Sequence, residues 1–275
     1  MSSLFRGHRF AWAGLACLLL FVMAALLAPW IAPYDPLRQV IAERLQGPST
    51  THWLGTDQFG RDIFSRVLYG GRISLGIALL SVLLGLIVGG LLGLGAGYSG
   101  RLDGPIMRAM DVLLSFPAVL LAIMVVTILR PGVLTVIIAV GVRSIPAFAR
   151  MVRGAVLVVR SLPYAEAAAA IGASHLRTIT RTIVPNSLPP VLVFSTLQVA
   201  NNILLAAILS YLGLGIQPPG AEWGLMVSQG RGWLRDAPHV AMMPGLAIFA
   251  VVLAVNMVGD GLRDRLDVKL KESGA

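Results

Sequence analysis

ISLGIALLSVLLGLIVGGLLGLGAGY, from Ile73 to Tyr98, runs without a single charged residue. A helix crosses a bilayer in about 20 mostly apolar residues, so this stretch alone reads as a membrane span. Its Ser81, Gly85, Gly89, Gly93 and Gly97 recur every four residues and therefore share one helical face. A stripe of small residues lets another helix approach closely. The stripe suits tight packing inside one bundle and suits a subunit interface equally.

The rest of the chain agrees with that first reading. Its 275 residues are 56% hydrophobic and only 13% charged, with a mean hydropathy of +0.81. That is too apolar for a soluble domain of this length. The net charge of +9 points to loops facing anionic lipid, because no aromatic-interleaved basic patch suggests nucleic acid. Cys17 is the one cysteine and lies in an apolar run, so no intrachain disulfide can form.

Six apolar stretches qualify as spans: Phe10–Ile31, Ile73–Gly97, Ile106–Leu129, Val133–Val152, Val191–Leu214 and Val240–Val258. The expectation is an all-α, polytopic membrane protein with six transmembrane helices. The first run is longer than the apolar core of a signal peptide and is expected to remain as a span. Basic residues favour both termini in the cytoplasm, with Arg101, Arg108, Arg150, Arg153, Arg160, Arg177 and Arg181 on the same side. Residues 1–72 form a first span plus an extracytoplasmic segment, and residues 73–275 form the core with five spans. In the outer segment Thr56 or Asp57 can cap a short interfacial helix. Trp223 and Trp233, after the fifth span, fit a membrane–water boundary.

Polar residues inside spans call for partners. Ser195, Gln198, Asn201 and Asn202 share one side of the fifth span, where they either bond between helices or line a polar pathway. Asp111 and Arg143 stand at similar depths in consecutive spans and are expected to pair, with snorkelling of Arg143 as the alternative.

Between the fourth and fifth spans lies a different kind of sequence, about residues 154–187, containing YAEAAAAIGASHLRTITRTIVPN from Tyr164 to Asn186. Pro163 can start a helix, Gly172 breaks it, Ser174 can cap a second helix and Pro185 closes that one. Periodicity leaves two readings open, a loop lying on the membrane and a helix that fits a groove on another protein.

Glu166, Ala167, Ala168, Gly172 and Pro185 match the EAA motif of membrane subunits of ATP-binding-cassette importers, and Ile183 begins an Ile-Val-Pro-Asn tail similar to that of one branch. HWLGTDQFGRDIFSR from His52, YLGLGIQPPGAEWGLM from Tyr211 and NMVGDGLRDRLD from Asn256 also resemble that branch, the dipeptide, oligopeptide and nickel permeases. Thr182 and Val184 depart from the usual Ile and Leu of the tail. The resemblance implies a type I importer permease fold in a bacterial inner membrane. It implies a non-catalytic subunit working with a second, homologous permease, two cytoplasmic ATPases that bind ATP and Mg, and an extracytoplasmic solute-binding protein. The insert would be the coupling element that docks on an ATPase. Peptides are the expected substrate, with nickel or a metal chelate as the alternative and an ion-coupled secondary carrier as a remote one.

The residues themselves argue against an enzyme. A P-loop needs Lys after Gly, and Lys269 and Lys271 follow Val and Leu. There is no His-Glu-x-x-His pattern, and His8, His52, His175 and His239 are scattered, so neither a metal site nor a bound cofactor is expected within the chain.

Overall fold

The computed structural model describes residues 9–170 and 172–272, and every regular element among them is helical. The apolar run that decided the fold lies in α3 (Ile63–Tyr98), one helix of 36 residues. Around it stand α1 (Arg9–Leu26), followed by the single turn α2 (Ala28–Ile31), and α6 (Val133–Arg160), α9 (Val184–Tyr211) and α11 (His239–Glu272). Among the described residues, four helical stretches are long and apolar enough to cross a membrane: Ile63–Tyr98, Val133–Arg160, His175–Tyr211 and His239–Leu266. Helix α1 is the shorter apolar helix. Its 18 residues span about 27 Å at 1.5 Å per residue.

The third expected span is not one straight helix. It divides into α4 (Gly100–Ser115) and α5 (Ala118–Leu129), bent by 90°. Pro117 carries no N–H, and the residue before a proline is driven out of the helical region; Phe116 accordingly takes φ −84° and ψ 133°. The charges of α4 find their partners on α6. Asp103 pairs with Arg153 through contacts of 2.5 and 2.6 Å, and Asp111 pairs with Arg150 at 2.5 Å. The expected Asp111–Arg143 pair is thereby replaced. The bend carries Asp111 to the level of Arg150, two helical turns from Arg143, and its side chain is 59% exposed.

Helix α3 also starts earlier than expected. Asp62, not Thr56 or Asp57, is the cap: its carboxylate accepts from the Ser65 N–H and hydroxyl, both at 2.7 Å. The helix then crosses from residue 72 to 73 without a break, so no separate interfacial helix precedes the span. Thr56 and Asp57 instead tie the outer segment to itself. The Thr56 hydroxyl donates to the Glu43 carbonyl. Asp57 accepts from the Phe59 and Arg61 N–H groups and from Arg61 Nε at 2.6 Å.

Arg66, 1% exposed, reaches across to the loop after α9 and donates to the Pro36 and Gly220 carbonyls at 2.9 Å each. In that loop Glu222 caps α10 (Trp223–Gly230), and Ser74 Oγ donates to it at 3.2 Å. Trp223 is a core residue, not a boundary one. It is 1% exposed, donates from Nε1 to the Val67 carbonyl at 2.9 Å, and packs edge-on against Phe21. Its room is made by Gly70 and Gly71, where any Cβ would meet the indole.

Candidate functional site

The insert between α6 and α9 begins as expected with a helix at Pro163, α7 (Pro163–Ala170). Ala165 is buried and Ala167 exposed, while the side chains of Glu166 and Ala168 lie outside the described residues, as does Ile171. Gly172 has φ +75°, a region that costs an ordinary L-residue about 1–2 kcal/mol. The elbow therefore depends on glycine. Ser174 then caps α8 (His175–Thr178), accepting from the Arg177 N–H at 3.4 Å.

Pro185 does not close this second helix. A π-helical stretch, Ile179–Ile183, joins α8 to α9, and the Val184 N–H bonds to the Ile179 carbonyl five residues back. Pro185 then sits in the first turn of α9, where a missing N–H is tolerated. The insert is thus continuous with the fifth span from His175 to Tyr211. Ile183, fully buried, packs with Val152, Val156, Val159 and Val191, so a displacement of the insert has a rigid route into the bundle.

A second connection runs to α3. Tyr98 Oη lies 2.6 Å from His175 Nδ1, with the rings edge to face. Arg160, the last residue of α6, stacks over the Tyr98 ring and donates to the Gly97 and Tyr98 carbonyls at 3.2 and 2.9 Å. Three helix ends therefore meet at one aromatic side chain. Tyr98, Arg160 and His175 were not candidates from sequence. The available signal was an aromatic residue closing the glycine stripe and a histidine directly after a cap.

The stripe itself packs inside the subunit. A Cβ at Gly85 would stand 2.7 Å from Ser144 Cβ, and one at Gly97 would stand 2.8 Å from Val156 Cβ. At Gly89 and Gly93 the added atom would overlap the Ile145 and Ala149 carbonyl oxygens. One turn beyond Gly85 a polar clasp joins three helices. Asn202 Nδ2 donates to Ser81 Oγ at 3.0 Å, and Ser144 Oγ donates to Asn202 Oδ1 at 3.1 Å. All three side chains are fully buried. Buried amides need such partners in an apolar bundle.

The other polar residues of α9 have separate fates. Ser195 bonds back to the Val191 carbonyl, and buried Gln198 accepts from Asn201 Nδ2 at 3.1 Å. Asn201 is exposed, on the face carried outward by Leu204, Ile208 and Tyr211. Arg143, half-buried on α6, makes no ion pair among the described residues. No group of three or more His, Cys, Asp and Glu gathers among the described residues.

A long-helix bundle with one polar insert continuous with a span is a recognisable arrangement. Residues 81–272 match the model of the binding-protein-dependent transport system inner membrane component, and residues 3–48 match the N-terminal TM domain of oligopeptide transport permease C. The chain belongs to this permease family. The permease is 50% identical over 268 residues to the glutathione transport system permease protein GsiD of Pectobacterium atrosepticum, covering 97% of this chain and 89% of the relative. It is 49% identical over 269 residues to GsiD of Escherichia coli O6:K15:H31, with the same coverage.

Solved structures place the permease's fold. The inward-facing MetNI methionine ABC transporter matches with a TM-score of 0.61 at 19% identity, over 73% of this chain and 96% of that one. An amino acid ABC transporter crystallised with histidines matches with a TM-score of 0.57 at 15% identity, over 73% and 94%. The permease therefore has the type I importer fold, and it is a multi-pass membrane subunit of an ABC importer.

Proposed function

We propose that the permease conducts peptides, glutathione among them, as one half of a pathway completed by a second, homologous permease. The observation that carries this reading is the 49–50% identity across 97% of the chain to permeases named for glutathione transport. Both termini and the insert face the cytoplasm of a bacterial inner membrane. Two ATPase subunits there bind ATP and Mg, and an extracytoplasmic binding protein delivers the solute.

Glu166, Ala167, Ala168 and the Gly172 elbow make the ATPase contact, and Ile183 and Pro185 pass its movement into α9. What supports this is the continuity of insert and span together with the Tyr98–His175 contact. Asn201 faces the pathway, supported by its exposure beside the wholly enclosed Asn202. Turned towards hydrocarbon, its carbonyl oxygen and second N–H would go unsatisfied beside the bond to Gln198, whereas a wet channel or a partner helix satisfies them. Ser195 and Gln198 stand behind it, and Asn202 serves packing.

The test is reconstitution of the permease with its second permease, ATPases and binding protein in proteoliposomes. ATP-dependent accumulation of labelled glutathione and dipeptides is expected. Accumulation of nickel without peptide would replace this reading by the metal-chelate one. Ion-driven uptake by the chain alone would replace it by a secondary carrier.

A further inference from the structure

The segment between α2 and α3 forms a half-open pocket of about 200 Å³ whose walls include Tyr34, Arg38, Glu43, Gln46, His52 and Asp62. Its floor is fixed. Asp62, 3% exposed, is held by Ser65 as the cap of α3, and His52, 6% exposed, is held through Nδ1 by Asp62 at 2.9 Å. Tyr34 stacks on the His52 ring and donates its hydroxyl to the Thr51 carbonyl at 3.1 Å. Gly60, with φ +70°, brings its backbone against Val40, where a Cβ would overlap the Val40 carbonyl.

The rim is different, because its charges are not spent. The Arg38 guanidinium and the Gln46 side-chain amide make no hydrogen bond or ion pair among the described residues. Among the described residues the Glu43 carboxylate, 43% exposed, is approached only by His52 Nε2 at 3.4 Å, through one of its two oxygens. Arg38 and Glu43 line the same cavity without pairing with each other. Charged groups of opposite sign that line one half-open pocket and stay apart suit a ligand carrying both complementary charges. Charge-assisted hydrogen bonds to each end would hold it.

We propose that this cavity binds a small zwitterion, the ammonium and carboxylate ends of an amino acid or short peptide, with Glu43 taking the ammonium and Arg38 the carboxylate. The volume lies below the roughly 300–1,000 Å³ of drug-sized sites, which restricts the occupant to about dipeptide size or to an end group that carries both charges, such as the γ-glutamyl end of glutathione. The proposal rests on the peptide reading above and adds to it a binding step on the permease itself, before the membrane. The zwitterion can arrive free or as the γ-glutamyl end of a glutathione still held by the binding protein.

The assembled importer in nanodiscs, without binding protein, is titrated with glycylglycine by calorimetry. N-acetylglycylglycine and glycylglycine amide, which each lack one charge, serve as blocked probes. Saturable binding of glycylglycine is expected, with both blocked probes about ten-fold or more weaker. Arg38→Gln and Glu43→Gln should each weaken glycylglycine to the same degree, while Arg44→Gln should not. Glu43→Gln keeps the backbone carbonyl that accepts from Thr56, and thermal unfolding of each variant verifies the fold.

Repeating the titration with glutathione-loaded binding protein separates the two sources. Tighter association of loaded than of empty protein, lost in both variants, assigns the peptide end. Equal association assigns the free ligand. No glycylglycine binding up to millimolar concentration, or equal binding by both variants, overturns the proposal. Uptake measured on the same preparations keeps this separate from the transport reading. Peptide uptake without cavity binding leaves the importer reading standing and removes only the cavity.

Discussion

The Tyr98 hydroxyl sits 2.6 Å from His175 Nδ1, joining the last residue of α3 to the first residue of the short helix after the Gly172 elbow. The contact connects the insert to the helix that the glycine stripe locks against α6. One such hydrogen bond is worth about 0.5–1.5 kcal/mol net, and coupling between sites is a free energy of similar scale. Tyr98→Phe keeps the ring beneath Arg160 and removes only the hydroxyl. Ligand-stimulated ATP hydrolysis and uptake should fall roughly two- to ten-fold, with ATPase co-purification unchanged. Wild-type stimulation in Tyr98→Phe would show the contact to be idle.

The stripe makes a prediction about assembly. Gly89→Leu and Gly93→Leu must push α6 backbone away, so both should lose folded protein in detergent and unfold at lower temperature. Gly76→Ala is the control, since nothing lies within 4 Å of its added Cβ. Equal melting temperatures for Gly76→Ala and Gly89→Leu would mean that the α3–α6 approach is looser than described.

Asn201 and Asn202 are neighbours in sequence with opposite surroundings, and their substitutions should divide accordingly. Asn202→Leu leaves Ser81 and Ser144 only their intrahelical bonds to the Ala78 and Val140 carbonyls and should cost about 0.6–1.7 kcal/mol, the range of interhelical hydrogen bonds in membranes. Asn201→Leu should reduce uptake, with a loss of stability confined to the Gln198 contact that it also removes. Coupling energies from a double-mutant cycle with Ser144→Ala locate the clasp. Additive losses for Asn202 and Ser144 would contradict the shared bond.

Much of this architecture was legible in sequence, for identifiable reasons. Apolar length marked the long helices, since a spanning helix has few other solutions. The Gly172 elbow and the Ser174 cap were legible because a turn and a cap are local. The failures lie where several local options compete or where a distant partner decides. Thr56, Asp57 and Asp62 are all capping residues, and only the contacts of Asp62 with Ser65 and His52 select it. The bend at Phe116–Pro117 had its signal in the proline, but apolar length outweighed it. Arg66 finds its carbonyl at Gly220, more than 150 positions away, and Trp223 is buried by glycines on another helix. Similar depth suggested Asp111 with Arg143, but depth depends on helix direction, which the bend changed.

Orientation is testable by labelling. In a Cys17→Ala background, Gly47→Cys should react with an impermeant thiol reagent in intact cells, because nothing lies within 4 Å of a side chain there. Leu176→Cys, at a position 72% exposed in the insert, should react only after the membrane is opened. Reaction of Leu176→Cys in intact cells, with Gly47→Cys silent, would invert the topology and remove the insert from the ATPase side.

The elbow offers the most discriminating substitutions. Among the described residues nothing lies within 4 Å of a Cβ added at Gly172, and its φ is +75°. Any effect of a larger residue there is conformational and not a clash. Asn enters this region more readily than other residues, whereas a β-branched residue is a marked outlier there. Gly172→Asn should therefore transport nearly as the parent does, Gly172→Ala should be intermediate, and Gly172→Val should be worst, with a penalty of about 1–2 kcal/mol on the bent state. If the insert is the ATPase-docking element, that penalty should appear as weaker ATPase co-purification or as hydrolysis no longer stimulated by loaded binding protein. Solute capture outside and the melting temperature of the bundle should stay constant across the series. Measuring co-purification, stimulated hydrolysis and uptake for all three variants gives a graded order that a passive loop would not produce. A flat series, with Gly172→Val equal to the parent in uptake and stimulation, would return residues 163–185 to the role of an ordinary connection between spans.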